Sequence, residues 1–136
     1  MNKIAILGGG NIGRAIALAL LNIGEKNPED IYITRRNPEI LDDLKDKGIL
    51  TGSDNAEAVK KSDIIILTVR PKQLPDLVSE IKESVIPEKH IVGSVITAFS
   101  ISEIEEEFGF PVKLVRIMPN TAIAIGESMT CLAAKT

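Results

Sequence analysis

Cysteine occurs once in the 136 residues, at Cys131, and tryptophan not at all. A single thiol can build neither a disulfide framework nor a cysteine-based metal cluster. Aromatic residues make up only 3% of the chain, so stacking platforms for nucleic-acid bases are missing. Charge of one sign is not in excess either: 16 Lys and Arg face 19 Asp and Glu, a net charge of −3. That balance argues against a nucleic-acid partner, which needs a basic surplus. Long apolar runs are also absent. The first, after Met1-Asn2-Lys3, stops at Leu7 against three glycines, which leaves no signal-peptide core or cleavage site. None approaches the length needed to cross a bilayer, so no membrane partner is expected. The expected location is the reducing cytoplasm, with no bound metal.

What is present is a 44% apolar chain of small net charge, enough to build a core. Its length suits one domain over residues 1–136. Apolar, largely β-branched runs at Lys3–Leu7, Ile31–Thr34, Ile64–Val69, Ile91–Ile96 and Val112–Met118 read as strands buried on both faces of a parallel sheet. Ile49–Thr51 and Met129–Ala133 are shorter candidates, the latter at the sheet edge. Between the strands, apolar residues recur at helical spacing: Ile12, Ile16, Ala19, Leu20 and Ile23; Leu74, Leu77, Val78 and Ile81; Ile101, Ile104 and Phe108. Gly24 fits a helix stop. Asp54 with Glu57, and Ser100 with Glu103, have capping-box spacing. Pro75 fits a first helical turn. Alternating strands and helices predict an α/β fold: a doubly wound, mostly parallel sheet with helices on both faces.

Gly8-Gly9-Gly10-Asn11-Ile12-Gly13 reads G-x-G-x-x-G. The string follows a predicted strand and opens a predicted helix, the context that gives it meaning. Gly8 permits the tight turn, Gly10 lets a pyrophosphate approach the backbone, and Gly13 lets helix and strand pack closely. N–H groups of the first helical turn then face the phosphate, aided by the helix dipole. The alternative is a glycine-rich turn without a ligand.

The end of the second strand reads the ribose in such folds. An NAD enzyme usually places a carboxylate there, whereas this chain has Thr34-Arg35-Arg36-Asn37. Two guanidiniums attract a 2′-phosphate that a carboxylate would repel. Each charge-assisted bond contributes roughly 1.5–3 kcal/mol, about tenfold in preference for NADP(H) over NAD(H). The bland alternative is a pair of solvated loop charges.

Four blocks make the chain resemble the pyrroline-5-carboxylate reductases, the last enzymes of proline synthesis. They are Ile4–Gly13; Asp63–Pro71, ending Val-Arg-Pro where the family usually has Val-Lys-Pro; Ile91–Val95; and Val115–Thr121 followed by Gly126–Thr130. Arg116-Ile117-Met118-Pro119-Asn120-Thr121 is the most specific. Departures are Ile96-Thr97-Ala98 for the family's Ala-Ala-Gly turn, Ala122 where a proline is frequent, and Ser128 where a glycine is common.

The resemblance covers the whole chain but about half of the family's protein. It implies an amino-terminal Rossmann domain that binds NADP(H), with NAD(H) as the alternative. In the family a helical carboxy-terminal domain follows, forms the homo-oligomer and holds most contacts to the cyclic-imine substrate. By resemblance, Gly8, Gly10, Asn11, Ile12 and Gly13 hold the pyrophosphate, and Thr34, Arg35 and Arg36 the 2′-phosphate. Asn55 lies near the adenosine ribose. Val69, Arg70 and Pro71 line the cleft, and Ala98 and Asn120 lie toward the nicotinamide. Read without the resemblance, Pro71 ends a strand, Asn55 belongs to a helix cap and Asn120 satisfies a turn.

The implied reaction passes a hydride from NADPH to the C=N carbon of a cyclic imine, giving proline. A protonated imine is already electrophilic, so neither nucleophile nor metal is required. No catalytic residue is assigned, because the family places its donors largely beyond residue 136. The 136 residues alone are expected to bind cofactor with little or no reductase activity. His90 reads as a solvated loop residue, Glu103 and Glu105–Glu107 as a solvated helix face, and Cys131 as a small buried hydrophobe. The rival functions are a stand-alone NADP-binding module without catalysis, and a related reductase of a β-hydroxyacid or a deazaflavin. The Met118-Pro119-Asn120-Thr121 string speaks against the last.

Overall fold

The computed structural model describes residues 3–22, 27–96, 98–118 and 131–134, with Met118 and the final strand described by backbone alone. Seven strands form one sheet: β1 (Ile4–Leu7), β2 (Ile31–Thr34), β3 (Leu50–Gly52), β4 (Ile64–Leu67), β5 (Ile91–Ser94), β6 (Lys113–Met118) and β7 (Cys131–Ala134). Their order is β3-β2-β1-β4-β5-β6-β7. The first six run parallel, and β7 lies antiparallel on β6 at the edge. Leu7 pairs with both Thr34 and Leu67, so the carboxyl ends of the three central strands stand level.

Strand side chains alternate between faces, and here both faces are covered. Ile4 and Ile6 of β1, with Ile31, Ile33 and Ile66, join one core; Ala5 and Leu7, with Ile65, Leu67 and Val92, join the other. That is why the runs read as continuously apolar and not as alternating. The first core is closed by α1 (Asn11–Asn22), by a 3-10 turn at Pro38–Leu41 and by α2 (Asp42–Lys45). The second is closed by α3 (Asn55–Lys60), α4 (Leu74–Ile81) and α5 (Ile101–Phe108). Helices on both faces make the sheet doubly wound, as the alternation of elements predicts.

Local signals explain the helix ends. Leu74, Leu77, Val78 and Ile81 are all buried, and Pro75 occupies the first turn of α4. Each such side chain stabilises the fold by about 2 kcal/mol on burial. Ser100 and Glu103 make both bonds of a capping box, 3.1 and 3.0 Å, and Gly109 closes α5 in the left-handed conformation at φ +79°. The box expected at Asp54 is half made. Asp54 accepts from the Glu57 N–H, but the Glu57 carboxylate turns to Lys61 at 2.8 Å.

Other differences have physical causes. Ile12 is 46% exposed, and the buried stripe of α1 is Gly13, Ile16, Ala17 and Ala19. The helix begins at the carboxyl end of β1, so its first turn overhangs the sheet. Strands β4 and β5 stop two residues earlier than expected, at Leu67 and Ser94. Strand β3 sits one residue later than Ile49–Thr51, and β7 covers Cys131–Ala134 in place of Met129–Ala133. The helix stop expected at Gly24 lies outside the described residues, as does the Cys131 side chain.

His90 corrects the reading of a solvated residue. Its side chain is buried, 1% exposed, just before β5. Nδ1 accepts from the Ile86 N–H at 2.8 Å. Nε2 therefore carries the proton, and it faces the carbonyls of Val59 at 3.1 Å and Ser62 at 3.0 Å. The ring closes the α3–β4 and α4–β5 turns together. Burial foremost, and then the charge of Lys89, pull its pKa below the ordinary value; the Ser62 and Val59 carbonyls and Asp63 oppose that.

Candidate functional site: the cleft at the carboxyl edge of the sheet

The strand order reverses at β1, which has β2 on one side and β4 on the other. Ligands of open α/β sheets bind outside the carboxyl ends at such a point. A cleft of about 540 Å³ opens there, its wall built from the turns after β1, β2, β3 and β4 and from α4.

The turn after β1 forms its floor. Gly8 has φ +113°, a conformation that favours glycine, and its N–H donates to the Thr34 carbonyl at 3.1 Å. The Gly9 N–H donates to the same oxygen at 2.7 Å. From the other side the Thr68 hydroxyl donates to the Leu7 carbonyl at 2.9 Å and reaches the Gly8 carbonyl as well. The glycines then divide the work. A Cβ on Gly13 would overlap the Gly8 carbonyl and touch Thr68 at 3.0 Å, so this glycine is required by packing. A Cβ on Gly10 would meet nothing within 4 Å, so this glycine keeps space open in front of the turn. The Arg14 N–H bonds the Gly10 carbonyl at 2.9 Å. The N–H groups of the three preceding residues, Asn11, Ile12 and Gly13, precede the intrahelical ladder, as the first N–H groups of any helix do. An anion seated on the turn would meet them and the positive end of the helix dipole.

The turn after β2 supplies the charge. Arg35 is half-buried and donates to the Gly9 carbonyl at 3.0 Å, so its guanidinium is held against the glycine turn with donors to spare. Arg36 is exposed on the same wall. Thr34 is buried and its hydroxyl donates to Asn55 Oδ1, whose Nδ2 in turn donates to Glu80 at 2.8 Å. Behind this loop a two-bond ion pair from Arg14 to Asp43 joins α1 to α2. The hydrogen bond from Arg14 is the main reason the Asp43 carboxyl lies below its ordinary pKa.

Of the residues expected at the site, Gly8, Gly10, Thr34, Arg35, Arg36, Asn55, Val69 and Arg70 come together in the cleft wall. Asn11 and Ile12 are exposed at the start of α1, and Gly13 is buried beneath the turn. Pro71 opens a 3-10 turn over Pro71–Gln73, and neither it nor the exposed Ala98 belongs to the wall of this cleft. Asn120 lies outside the described residues. The structure adds Thr68, Gln73, Asp76, Leu77 and Glu80 to the wall. Thr68 had a signal, as the polar residue within the apolar run Ile64–Val69. Glu80 had none, because an exposed glutamate on a helix has no signature in sequence. Among the described residues, no group of three potential metal ligands occurs and no helix is long and apolar enough to cross a membrane.

A parallel sheet in the order β3-β2-β1-β4-β5-β6, with a glycine turn and a basic wall at its switch point, has the architecture of a Rossmann-type dinucleotide-binding domain. Residues 3–98 match the family model described as NADP oxidoreductase coenzyme F420-dependent, and the chain belongs to that family. Two relatives from Dictyostelium discoideum are similar along almost its whole length. Pyrroline-5-carboxylate reductase 2 is 43% identical over 98% of the chain and 46% of its own length; pyrroline-5-carboxylate reductase 1 is 42% identical over 99% of the chain and 24% of its own. A solved pyrroline-5-carboxylate reductase from Coxiella burnetii superimposes with a TM-score of 0.90 at 30% identity, covering 98% of the chain and 50% of that structure. The chain thus spans half or less of the length of these reductases.

Proposed function

We propose that the chain is the cofactor-binding half, over residues 1–136, of an NADP(H)-dependent pyrroline-5-carboxylate reductase. The observation that carries this reading is the placement of Arg35 and Arg36 on the cleft wall beside the glycine turn, with Arg35 bonded to Gly9. A pyrophosphate on the turn and a 2′-phosphate on the arginines fill that wall with matched charge. Gly8, Gly10, Asn11, Ile12 and Gly13 hold the pyrophosphate in this reading. Thr34 supports Asn55 from beneath while Arg35 and Arg36 take the 2′-phosphate, and Val69 and Arg70 border the rest of the cleft. The cofactor supplies a hydride, and this chain's task is to bind it, orient it and shed water from the face presented to a cyclic imine. Further substrate contacts and the homo-oligomer belong to the part of the reductase that follows the nucleotide-binding half.

The test is calorimetric titration of the chain with NADPH and with NADH, beside an Arg35→Ala/Arg36→Ala variant. NADPH affinity is expected to fall tenfold or more in the variant, about 1.4 kcal/mol or above, while NADH changes little. Equal loss of both dinucleotides would remove the 2′-phosphate reading. A second reading, an NADP-dependent reductase of a deazaflavin, is favoured by the description of the matching family. Oxidation of NADPH by a deazaflavin, and not by 1-pyrroline-5-carboxylate, in a full-length reductase that contains this half would select it.

A further inference from the structure

Three side chains from three elements form one hydrogen-bonded line along the wall of the cleft. The Thr34 hydroxyl lies on the Asn55 amide, and the Asn55 amide lies on the Glu80 carboxylate at 2.8 Å. The chemistry of the last member fixes every orientation. A carboxylate only accepts, so Asn55 must turn Nδ2 toward Glu80. Oδ1 then faces Thr34, whose hydroxyl must be the donor. Thr34 is 1% exposed at the end of β2, so one end of the line is fixed by the core. Glu80 is exposed on α4, so the other end is open to solvent. Among the described residues, Nδ2 of Asn55 makes no other hydrogen bond.

The charges on that wall are opposed. Arg35, Arg36 and Arg70 stand against Asp76 and Glu80, which lie one helical turn apart on α4. A site built only to capture phosphate has no use for carboxylates in its wall. A ribose has one, because a carboxylate accepts hydrogen bonds from its hydroxyls.

We infer that Glu80 is a positioning and specificity-determining residue for the adenosine ribose. It fixes the Asn55 amide, and its charge restrains the preference for a 2′-phosphate that the arginines create. The inference rests on the dinucleotide reading of the cleft. The restraint is Coulombic, so it acts on NADP(H) far more than on NAD(H) and weakens as salt rises.

The test titrates NADPH and NADH into wild type, Glu80→Gln and Glu80→Ala at low and at high salt. Glutamine keeps an acceptor for Asn55 and removes the charge. NADPH is expected to bind about three to ten times more tightly to Glu80→Gln, with NADH changed less than about twofold, and the gain should shrink at high salt. Glu80→Ala removes the tether as well. It should show the same shift in the NADPH-to-NADH ratio, together with NADH binding weakened severalfold. A ratio in Glu80→Gln within about twofold of wild type overturns the charge role. NADH affinity unchanged in Glu80→Ala overturns the positioning role. Should the alanine variant fail to fold, the glutamine variant decides the charge role, and Glu80→Ser, too short to reach Asn55, takes the alanine variant's place with the same expected and overturning outcomes. Wild type that binds neither dinucleotide overturns the reading of the cleft itself, and this assignment with it, an outcome distinct from the other failures.

Discussion

The two ends of the parallel sheet are made from the same strands and treat polar groups in opposite ways. At the amino end, before β4 and β5, polar groups are sealed by one another: His90 takes the Ile86 N–H and meets the carbonyls of Val59 and Ser62. At the carboxyl end, polar groups are gathered and left open: the glycine turn, Arg35, Arg36, Asn55 and Glu80 share one cleft. The sealing holds beside β4 and β5 and not along the whole amino end: next to β1, β2 and β3 a cleft of about 390 Å³ opens between Lys3, Glu29, Asp30, Tyr32 and Lys61, and one buried Asp30 carboxyl oxygen has no hydrogen-bond partner among the described residues. The contrast shows how a uniform apolar sheet acquires a direction. Binding capacity collects where the turns are held from behind but not filled from the front.

Substitutions that sharpen this contrast differ in size. The largest loss is expected from His90→Ala, which removes the acceptor of the Ile86 N–H and the donor to the Ser62 carbonyl, empties a buried ring site and should cost about 3 kcal/mol of stability by denaturant unfolding. Dinucleotide affinity of the folded variant should be unchanged. The same residue gives a pH dependence with a definite sign. Its pKa is lowered in the folded state by burial, so below the ordinary histidine value the unfolded chain binds the extra proton. Stability from this group is therefore complete at neutral pH and is lost as pH falls below about 6.5 through the folded value. Melting temperatures measured from pH 7.5 to 5 should fall in wild type, with a shallower slope in His90→Ala.

Next in size is a pair of identical changes. Gly13→Ala drives a Cβ into the Gly8 carbonyl and should destabilise by about 2 kcal/mol. Gly10→Ala adds the same atom to open space and should leave stability within about 0.5 kcal/mol while weakening dinucleotide binding. Equal stability losses in the two would break the distinction between a glycine needed for packing and one needed for a ligand. Smaller than the Gly13→Ala loss is that of Ser100→Ala, which removes the cap of α5 and should cost about 1 kcal/mol, read as a lower unfolding midpoint.

Much of this was legible in the order of residues. The strand runs, the stripe of α4 and the Ser100–Glu103 box lie within single elements, so spacing alone reveals them. The glycine turn was legible for the same reason: Gly8 to Gly13 form one contiguous turn. Local reading failed where a partner comes from elsewhere in the chain. His90 looks solvated beside Glu88 and Lys89, yet its acceptors are at Val59 and Ser62. The Asp54–Glu57 box is broken by Lys61, a competitor one helical turn further on.

The candidate site divides along the same line. The sequence by itself determined the doubly wound sheet, the glycine turn and the position of Arg35 and Arg36 after β2, because each follows from short-range periodicity and from the sterics of residues without a Cβ. Only the tertiary structure decided that Thr68 clasps the turn, that His90 is sealed, and that Glu80 meets Asn55. Those contacts join elements separated by 28 residues for His90 to Ser62 and 25 for Asn55 to Glu80. They arise because level strand ends bring successive turns side by side, a juxtaposition set by sheet register and by no local pattern.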